Sequence, residues 1–444
     1  MSQVQAVAPD QRIDRAALWV VFLSSLGGAL EFYDFIVFGT FAAYISKAFF
    51  PANDPTVSLL LTFGLFAAGY LARPIGGLVF GGRGDRVGRR HSFLLSLAMM
   101  SAATIAMGLV PSYATGGVGC TVIFIVLRLV QGFCLGGELP GAITYAVEAV
   151  PPRRATLACG LVFGCVSAGV LIATAVNLVL SSSLSAEAMQ DWGWRIAFFI
   201  GGLLGVGSWM LRRALEESPA FLRMRRRLTE EAATGQAERG PLAELFANHW
   251  RRIVLGICST CIVAAFNGLL FAHMGAYLAR SLNYPPPSIG AALNIASAAI
   301  SVSLVVACWI ADMVPRRFVF QCGCVAIALG AMPAYSAMVD RSIPLPLLFL
   351  WIGLGACATH GTFAAILADL FPTRVRFSGV AFSLNIGAVI FSGIGPLFAT
   401  WLIGTSGQLT SPAYLIVGSA TLSFFAAFLL PRYSGQIGRD DIGA

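Results

Sequence analysis

The chain has 444 residues, of which 57% are hydrophobic and only 11% are charged, and its mean hydropathy is +0.79. Soluble proteins carry about a quarter charged residues, so this composition excludes a soluble multidomain enzyme and indicates a surface that faces lipid. The net charge of +8 is almost wholly arginine, because Lys47 is the only lysine. The arginines lie in short clusters between apolar runs, which favours a role in membrane topology and argues against nucleic-acid binding.

Twelve apolar runs are long enough to cross a bilayer, which takes about 20 residues each. They are rich in glycine and alanine, as expected where helices pack closely in lipid. The sequence therefore predicts an all-α membrane protein. The predicted spans are 18–41, 58–81, 93–111, 119–143, 157–180, 194–212, 253–279, 289–311, 318–338, 345–368, 378–403 and 412–430.

Two six-helix halves are predicted, at 17–212 and 251–431, joined by a polar linker at 213–250. The linker is too short to bury a core of its own. Polar tails are predicted at 1–16 and 432–444. If the first tail is cytoplasmic, every inner loop holds arginine, whereas the outer segments hold only four basic residues. Positive charge marks the inner side, so we expect both termini in the cytoplasm and the chain in the cell (inner) membrane.

Two loop motifs repeat at equivalent places in the halves. Residues 85–90 read Asp-Arg-Val-Gly-Arg-Arg and residues 312–317 read Asp-Met-Val-Pro-Arg-Arg. Residues 148–153 begin with glutamate and residues 369–374 with aspartate, and both continue with proline and then arginine. Two such matches indicate an internal duplication, and therefore two pseudo-symmetric halves.

The loop after the second span carries a candidate gate. An aspartate there can pair with arginine and accept hydrogen bonds from a helix N-terminus, so this loop can hold the two halves together on the cytoplasmic side. The simpler alternative is that its arginines only set topology. The predicted gate residues are Asp85, Arg86, Arg89, Arg90, Glu138 and Glu148.

This loop resembles the signature of the major facilitator superfamily. The segments 31–35, 73–77, 128–138 and 215–221 resemble the metabolite:proton symporter family, and so do 191–195, 371–376 and 412–414. That family includes carriers for proline and betaine, citrate, 2-oxoglutarate and shikimate. The resemblance implies a twelve-helix fold with spans one and four lining the cavity. Residues 312–317 depart from the family pattern, which predicts a weakened second gate.

Charged residues inside the spans are the best site candidates, because burying them in lipid is costly. Glu31 and Asp34 share a face of span one by their spacing, and Arg128 in span four is predicted at the depth of Glu31. We expect Glu31 or Asp34 to carry a proton, Arg128 to respond to its state, and Arg73 or Arg128 to attract a substrate carboxylate. The alternative is a structural ion pair that only holds helices together. Glu138 either pairs with Arg73 or braces the inner gate, and we favour bracing.

The second half offers only neutral polar groups inside its predicted spans. Asn267, His360 and Asn385 are predicted substrate contacts, although buried amides also bond across helices. His273 and His360 are the intramembrane histidines; each could relay protons, but packing is the commoner role of a lone histidine. Cys258 and Cys261 have metal-motif spacing without a second ligand pair, and we interpret them as buried thiols.

No nucleotide-binding or metalloprotease motif occurs, so we predict neither an enzyme nor a cofactor. The predicted function is secondary active transport by alternating access, with symport of protons and a small carboxylate-bearing metabolite, either an organic acid or a zwitterionic osmolyte. We expect the protein to work as a monomer in the lipid bilayer. A proton-coupled exporter (antiporter) and a carrier-like sensor signalling through the linker are the alternatives.

Overall fold

The computed structural model describes residues 15–51, 55–233 and 240–437. Within these ranges, twelve helices are long and apolar enough to cross a membrane, and we number them α1 to α12. Their bounds are Arg15–Thr40, Gly64–Val87, Arg89–Leu109, Tyr113–Ala149, Pro152–Ser183, Ala186–Arg212, Trp250–Ser281, Ser288–Met313, Arg316–Asp340, Leu345–Asp369, Thr373–Ser406 and Ala413–Arg432.

Each predicted span coincides with one of these helices, but several helices extend beyond the apolar run. The second helix continues to Val87, six residues past the predicted end at 81, since its last turns carry the gate residues. The fourth runs to Ala149 rather than 143. The predicted tails lie largely at 1–14 and 438–444, outside the described residues, as does 234–239 of the linker.

Both ends of the described chain lie on one side of the molecule. An even number of spans separates the start of α1 from the end of α12, so Arg15 and Arg432 share a side, which we call the terminal side. The loops after α2, α4, α8 and α10 lie there too, and the linker between α6 and α7 joins them. The repeated loop motifs are therefore all brought to the same face.

Glycines allow α2 and α4 to touch backbone to backbone. A Cβ atom added at Gly76 would lie 1.7 Å from the Phe133 carbonyl oxygen, and one added at Gly132 would lie 2.2 Å from the Gly69 carbonyl oxygen. In lipid the hydrophobic effect does not drive helices together, and close packing of this kind stabilises their contact instead. The two helices therefore form one tightly packed unit.

The linker holds two helices, Pro219–Ala233 and Pro241–Asn248, within its described part. Glu244 on the second helix pairs with Arg374 at 2.7 Å, at the start of α11. His249 follows that helix, and its pKa is lowered by burial and by the neighbouring charge of Arg252. The second linker helix therefore packs on the terminal side, where Glu244 contacts α11.

Helices α7 and α11 meet at two π-helical segments, Gly268–His273 and Ala388–Ile394. A Cβ atom at Gly268 would lie 2.6 Å from the Ser392 Cα atom, and Ser392 donates to the Ala264 carbonyl at 2.6 Å. Such widened turns are frequent at functional sites because they redirect neighbouring side chains. Asn267 directly precedes the first of them.

We expect Gly132→Leu to lower the stability of the fold, because its side chain would collide with the Gly69 backbone. Overpacking of this kind costs about 1–3 kcal/mol or more. The measurement is the thermal unfolding midpoint of the detergent-solubilised protein. Gly207→Leu is the matched control, since a side chain at this exposed glycine meets no atom within 4 Å. Equal midpoints for the two variants would show that α2 and α4 do not need this contact.

Candidate functional site

Glu31 and Arg73 form a buried ion pair. Arg73 Nη2 lies 2.7 Å from Glu31 Oε1, and the residues are 7% and 2% exposed. Arg73 Nε also donates to the side-chain oxygen of Asn385 on α11 at 3.1 Å. Glu31 lies about 24 Å along α1 from its first residue, which is close to the middle of a bilayer. The pair therefore joins α1 to α2 at mid-membrane depth, and Asn385 extends the connection into the second half.

Asp34 belongs to a separate hydrogen-bond chain. Its Oδ2 accepts from Thr104 at 3.1 Å and from the Gln131 amide at 3.0 Å. Arg128 donates to the side-chain oxygen of the same glutamine. Arg128 thus reaches Asp34 through Gln131, and the charged partner of Glu31 is Arg73 instead. The Gln131 side chain stands between Asp34 and Arg128, so the predicted response of Arg128 to a carboxylate would pass through this amide.

One small cavity brings these groups together. Its volume is about 30 Å³, and among its lining residues are Glu31, Arg73 and Arg128. Glu31 Oε2 and Arg128 Nε have no hydrogen-bond partner among the described residues, so each has bonding capacity left for another molecule. A space of this size holds about one water molecule, so the site is closed around its charges in this conformation. The aromatic part of the lining is Phe32, Phe35, Phe66 and Tyr70.

The aromatic rings also contact the cations directly. The Arg128 guanidinium carbon lies 4.0 Å from the centre of the Phe38 ring and 5.3 Å from that of Phe66. The Arg73 guanidinium lies 5.3 Å from the centre of Tyr70. Ring faces attract cations, so these contacts offset part of the cost of burying two guanidinium groups.

The second-half candidates separate into two places. His360 Nε2 lies 3.1 Å from the Asn267 side-chain oxygen, and the histidine packs edge-on against Phe266. Asn385 is not beside them, since its amide donates to the Gly136 carbonyl at 2.8 Å while its oxygen accepts from Arg73. Asn385 is thus a bridge between the halves. His273 stacks on Tyr277, a packing contact.

Glu138 pairs with Arg212, the last residue of the sixth predicted span. The pair is fully buried, and Ser96 donates to the second carboxylate oxygen at 3.2 Å. Arg212 also donates to the carbonyls of Leu23 and Ser24 on α1, both at 2.8 Å. Glu138 therefore braces four helices, α1, α3, α4 and α6, and its other predicted partner, Arg73, is bonded elsewhere.

Asp85 closes the terminal side by capping α11. Its carboxylate accepts from the backbone N–H groups of Phe377 and Ser378 at 3.1 and 2.8 Å, and from the Ser378 hydroxyl at 2.6 Å. A carboxylate is stabilised at a helix N-terminus by the exposed N–H groups and the helix dipole. Asp85 is 3% exposed, so these bonds are shielded from water. We call this contact the Asp85 cap.

Arg89 and Glu148 extend the closed network. Arg89 lies 2.6 Å from Asp85 and 3.4 Å from Glu148, and it donates to the Thr373 carbonyl at 2.5 Å. Glu148 also pairs with Arg376 of the second half at 2.9 Å. One glutamate therefore neutralises an arginine from each half, and all these partners lie on the terminal side.

The linker completes this network through residues that sequence reasoning did not place in the gate. Glu217 accepts from the backbone N–H groups of Arg89 and Arg90, and Ser218 donates to Glu148. Both occur in the 215–221 segment, so the family resemblance was the signal that marked them. Arg90 binds the Arg213 carbonyl at 2.7 Å, whereas Arg86 is exposed.

The second repeat forms a smaller version of the same contact. Asp312 accepts from the Leu157 backbone N–H at 3.4 Å, near the start of α5, and Arg316 donates to the Pro152 carbonyl. The changed sequence at 312–317 therefore keeps a helix-capping aspartate. It differs from the Asp85 cap in its longer backbone hydrogen bond.

The C-terminal segment 435–437 is bound to the same surface. Asp369 accepts from the backbone N–H groups of Gly435 and Ile437 at 3.0 and 2.8 Å, and Arg376 donates to the Gln436 carbonyl at 3.2 Å. Because Arg376 also pairs with Glu148, this segment touches the network that joins the halves.

The profile of the sugar (and other) transporter family matches residues 20–437. The chain belongs to this family. The transporter is 34% identical over 422 residues to a proline/betaine transporter of Salmonella typhimurium, covering 93% of this chain and 83% of the relative. It is 31% identical over 433 residues to a citrate-proton symporter of Klebsiella pneumoniae, covering 94% and 93%. These relatives confirm the family resemblance found in the motifs.

The fold is that of the major facilitator superfamily. The structure of the proton:xylose symporter XylE bound to 6-bromo-6-deoxy-D-glucose superposes with a TM-score of 0.77 at 17% identity, covering 94% of this chain and 95% of that one. The predicted fold class is therefore confirmed. The protein is a multi-pass membrane transporter and not an enzyme.

We expect Asp85→Asn to open the terminal side, because the uncharged amide no longer matches the N-terminus of α11 and leaves Arg89 short of a partner. The direct measurement is hydrogen–deuterium exchange of the peptide containing Phe377 and Ser378, whose N–H groups bind Asp85. Exchange there should be at least tenfold faster, since removing one member of a buried pair is costly.

Arg86→Gln is the control for this exchange experiment, because Arg86 is exposed in the same helix end. It should leave the exchange of that peptide unchanged. Unaltered exchange in Asp85→Asn would contradict a capping role for Asp85.

Arg212→Met should destabilise the protein strongly, because it leaves the Glu138 carboxylate buried without its charge partner. The expected cost is about 3–5 kcal/mol, seen as a lower thermal unfolding midpoint. The double variant Glu138→Gln/Arg212→Met should recover part of that loss, and Arg213→Met, at an exposed neighbour, should change little. The brace does not exist if Arg212→Met and Arg213→Met unfold at the same temperature.

Proposed function

We propose that this transporter carries out proton-coupled symport of a small carboxylate-bearing metabolite by alternating access. The observation that carries the proposal is the buried Glu31–Arg73 pair, which lies in a cavity at mid-membrane depth and is tied to the second half through Asn385. We further propose that it lies in the cell (inner) membrane with both termini in the cytoplasm, as the distribution of arginine indicates.

The proton acts by changing the partner of Arg73. While Glu31 is ionised, its carboxylate occupies the Arg73 guanidinium at 2.7 Å. A proton on Glu31 removes that charge and weakens the pair, so the guanidinium donors become available to a substrate carboxylate. Substrate binding and protonation then favour each other, which is the requirement for symport.

Helix α11 connects this event to the gate. Asn385, which accepts from Arg73, lies on the helix whose first turn contains Phe377 and Ser378, the residues capped by Asp85. These positions are about 12 Å apart along one rigid helix. When Arg73 changes partner, its contact with Asn385 on α11 changes, and the Asp85 cap can then open.

Two features support a carboxylate-bearing substrate. Arg73 and Arg128 both line the cavity, and a guanidinium group suits the geometry of a carboxylate. The relatives named above are a transporter of proline and betaine and a symporter of citrate, and all three compounds carry a carboxylate. Asn267 and His360, bonded to each other in α7 and α10, are the proposed contacts from the second half.

Asp34 is the second candidate for the proton. It is 5% exposed, and Gln131 links it to Arg128 within the first half. Asn385 binds Arg73 rather than this chain, so Asp34 lacks the connection to the second half that Glu31 has through Arg73. We therefore propose that Glu31 carries the proton and that Asp34 stabilises Arg128 through Gln131.

Uptake into proteoliposomes tests the assignment. With labelled glycine betaine, proline or citrate and an inward proton gradient, the wild type should accumulate at least one of these substrates. Glu31→Gln should abolish gradient-driven accumulation and keep substrate exchange between the two sides, because the neutral amide mimics a permanently protonated site. Glu187→Gln, at an exposed carboxylate, is the matched control and should accumulate normally.

Asp34→Asn completes the uptake series and should weaken transport without selectively removing the proton requirement. If both Glu31→Gln and Asp34→Asn accumulate substrate like the wild type, neither carboxylate couples the proton. Proton-driven loss of preloaded substrate would identify an exporter. No movement of any of the three substrates, together with linker contacts that change on ligand addition, would favour a sensor.

A further inference from the structure

A long apolar groove on the second half lies outside the charged site. Its volume is about 700 Å³, and it is bordered mainly by α9 and α10, with α7 beneath them. It extends from the loop at 342–344 to Ala326, which is about 21 Å along α9 from the end of that helix at Asp340. One leaflet of a bilayer has a hydrocarbon depth of about 15 Å, so the groove spans the leaflet on the side opposite the termini.

Two glycines keep part of the groove open. Gly330 and Gly355 both line it, and a Cβ atom built at either residue meets no atom within 4 Å. Trp351, also a lining residue, is 71% exposed. Because α9 and α10 are both candidate membrane spans, this exposed apolar surface is open to lipid chains.

A buried hydroxyl inside the groove has no partner. Tyr335 is 4% exposed, and its hydroxyl makes no hydrogen bond among the described residues. Its ring packs 5.6 Å from that of Tyr277, whose own hydroxyl donates to the Leu409 carbonyl. Leaving a buried hydroxyl without a partner is unfavourable, so the site favours a ligand that supplies an acceptor there.

The position of that hydroxyl suits the ester region of a phospholipid. Tyr335 lies about 7.5 Å below the end of α9 at Asp340. The helix has 25 residues, about 37 Å, and exceeds the hydrocarbon core by a few ångströms at each end. The hydroxyl therefore lies just inside the hydrocarbon boundary, next to the level of lipid ester carbonyls.

A cation stands at the mouth of the groove. Arg341 directly follows the end of α9 and precedes the lining residue Ser342. Its guanidinium is held in place by a 2.7 Å bond to the Leu282 carbonyl and by the Tyr284 ring, 4.7 Å away. A fixed positive charge at headgroup level complements a phosphate.

We propose that this groove is a specific phospholipid site in the leaflet opposite the termini, with an acyl chain along Gly330 and Gly355, an ester carbonyl accepting from Tyr335, and the phosphate near Arg341. It is separate from the proposed substrate site and does not depend on the transport proposal. An acyl chain seated in the groove packs against its apolar walls more closely than loosely packed lipid would. The two polar contacts give the site its preference for a phospholipid.

Photolabelling tests the site in the full chain reconstituted into liposomes that contain phosphatidylglycerol with a diazirine on its acyl chain. Labelled peptides should fall within 326–338 and 347–355. Gly330→Leu and Gly355→Leu should each reduce that labelling at least tenfold, because the new side chain fills the groove. Gly207→Leu, at an equally open glycine on α6, should not change it.

Two further variants separate the polar contacts. Tyr335→Phe should lower the labelling about fivefold, and Arg341→Gln should lower it severalfold. A diazirine-bearing alkane without a phosphate should label the groove less than the phospholipid does. Labelling spread evenly over the lipid-facing helices, or equal in Gly330→Leu and Gly207→Leu, overturns the site. Equal labelling by the alkane and no effect of Arg341→Gln overturn its assignment to a phospholipid.

Discussion

A charge inside a bilayer needs a partner at all times, and this requirement organises the first half of the transporter. Glu31 has Arg73, Glu138 has Arg212, and Asp34 reaches Arg128 through a glutamine. Leaving one member alone is far more costly than keeping both, so movement can only proceed by exchange of partners. A proton and a carboxylate-bearing substrate are the two species able to make that exchange at Glu31 and Arg73 under the proposed mechanism.

The contacts between the halves follow the same rule at the terminal side. Asp85 binds the first turn of α11, and Glu148 binds one arginine from each half, with Ser218 of the linker beside it. Helix α11 participates twice, at its capped start and again at Asn385 in mid-membrane. The closed gate and the bonded Arg73 therefore both contact one helix, α11, through which a change of protonation at Glu31 would reach the gate under the proposed mechanism.

The sequence was sufficient for the architecture and for the identity of the charged residues, because the need for apolar spans and the cost of buried charge both act on local composition. It was not sufficient for their pairing. Helix spacing placed Glu31 and Asp34 on one face, but the rotation of α1 against α2 and α4 decided that Arg73 and Gln131 would be their respective partners. Arg212 ends a predicted span, where arginines usually set topology, and only the packing of α1 against α6 shows that it is buried. Asn385 stays a predicted substrate contact, and only the structure shows that it also binds Arg73.

The glycine contacts between α2 and α4 have a consequence for selectivity. Arg73 lies on one of these helices and Arg128 on the other, and their backbones touch at Gly76 and Gly132 without room to slide. The spacing of the two helix backbones that carry these arginines is therefore fixed within the first half. Under the proposed mechanism, this fixed backbone spacing would limit the size of metabolite that the first half accepts, and movement of the second half would release it.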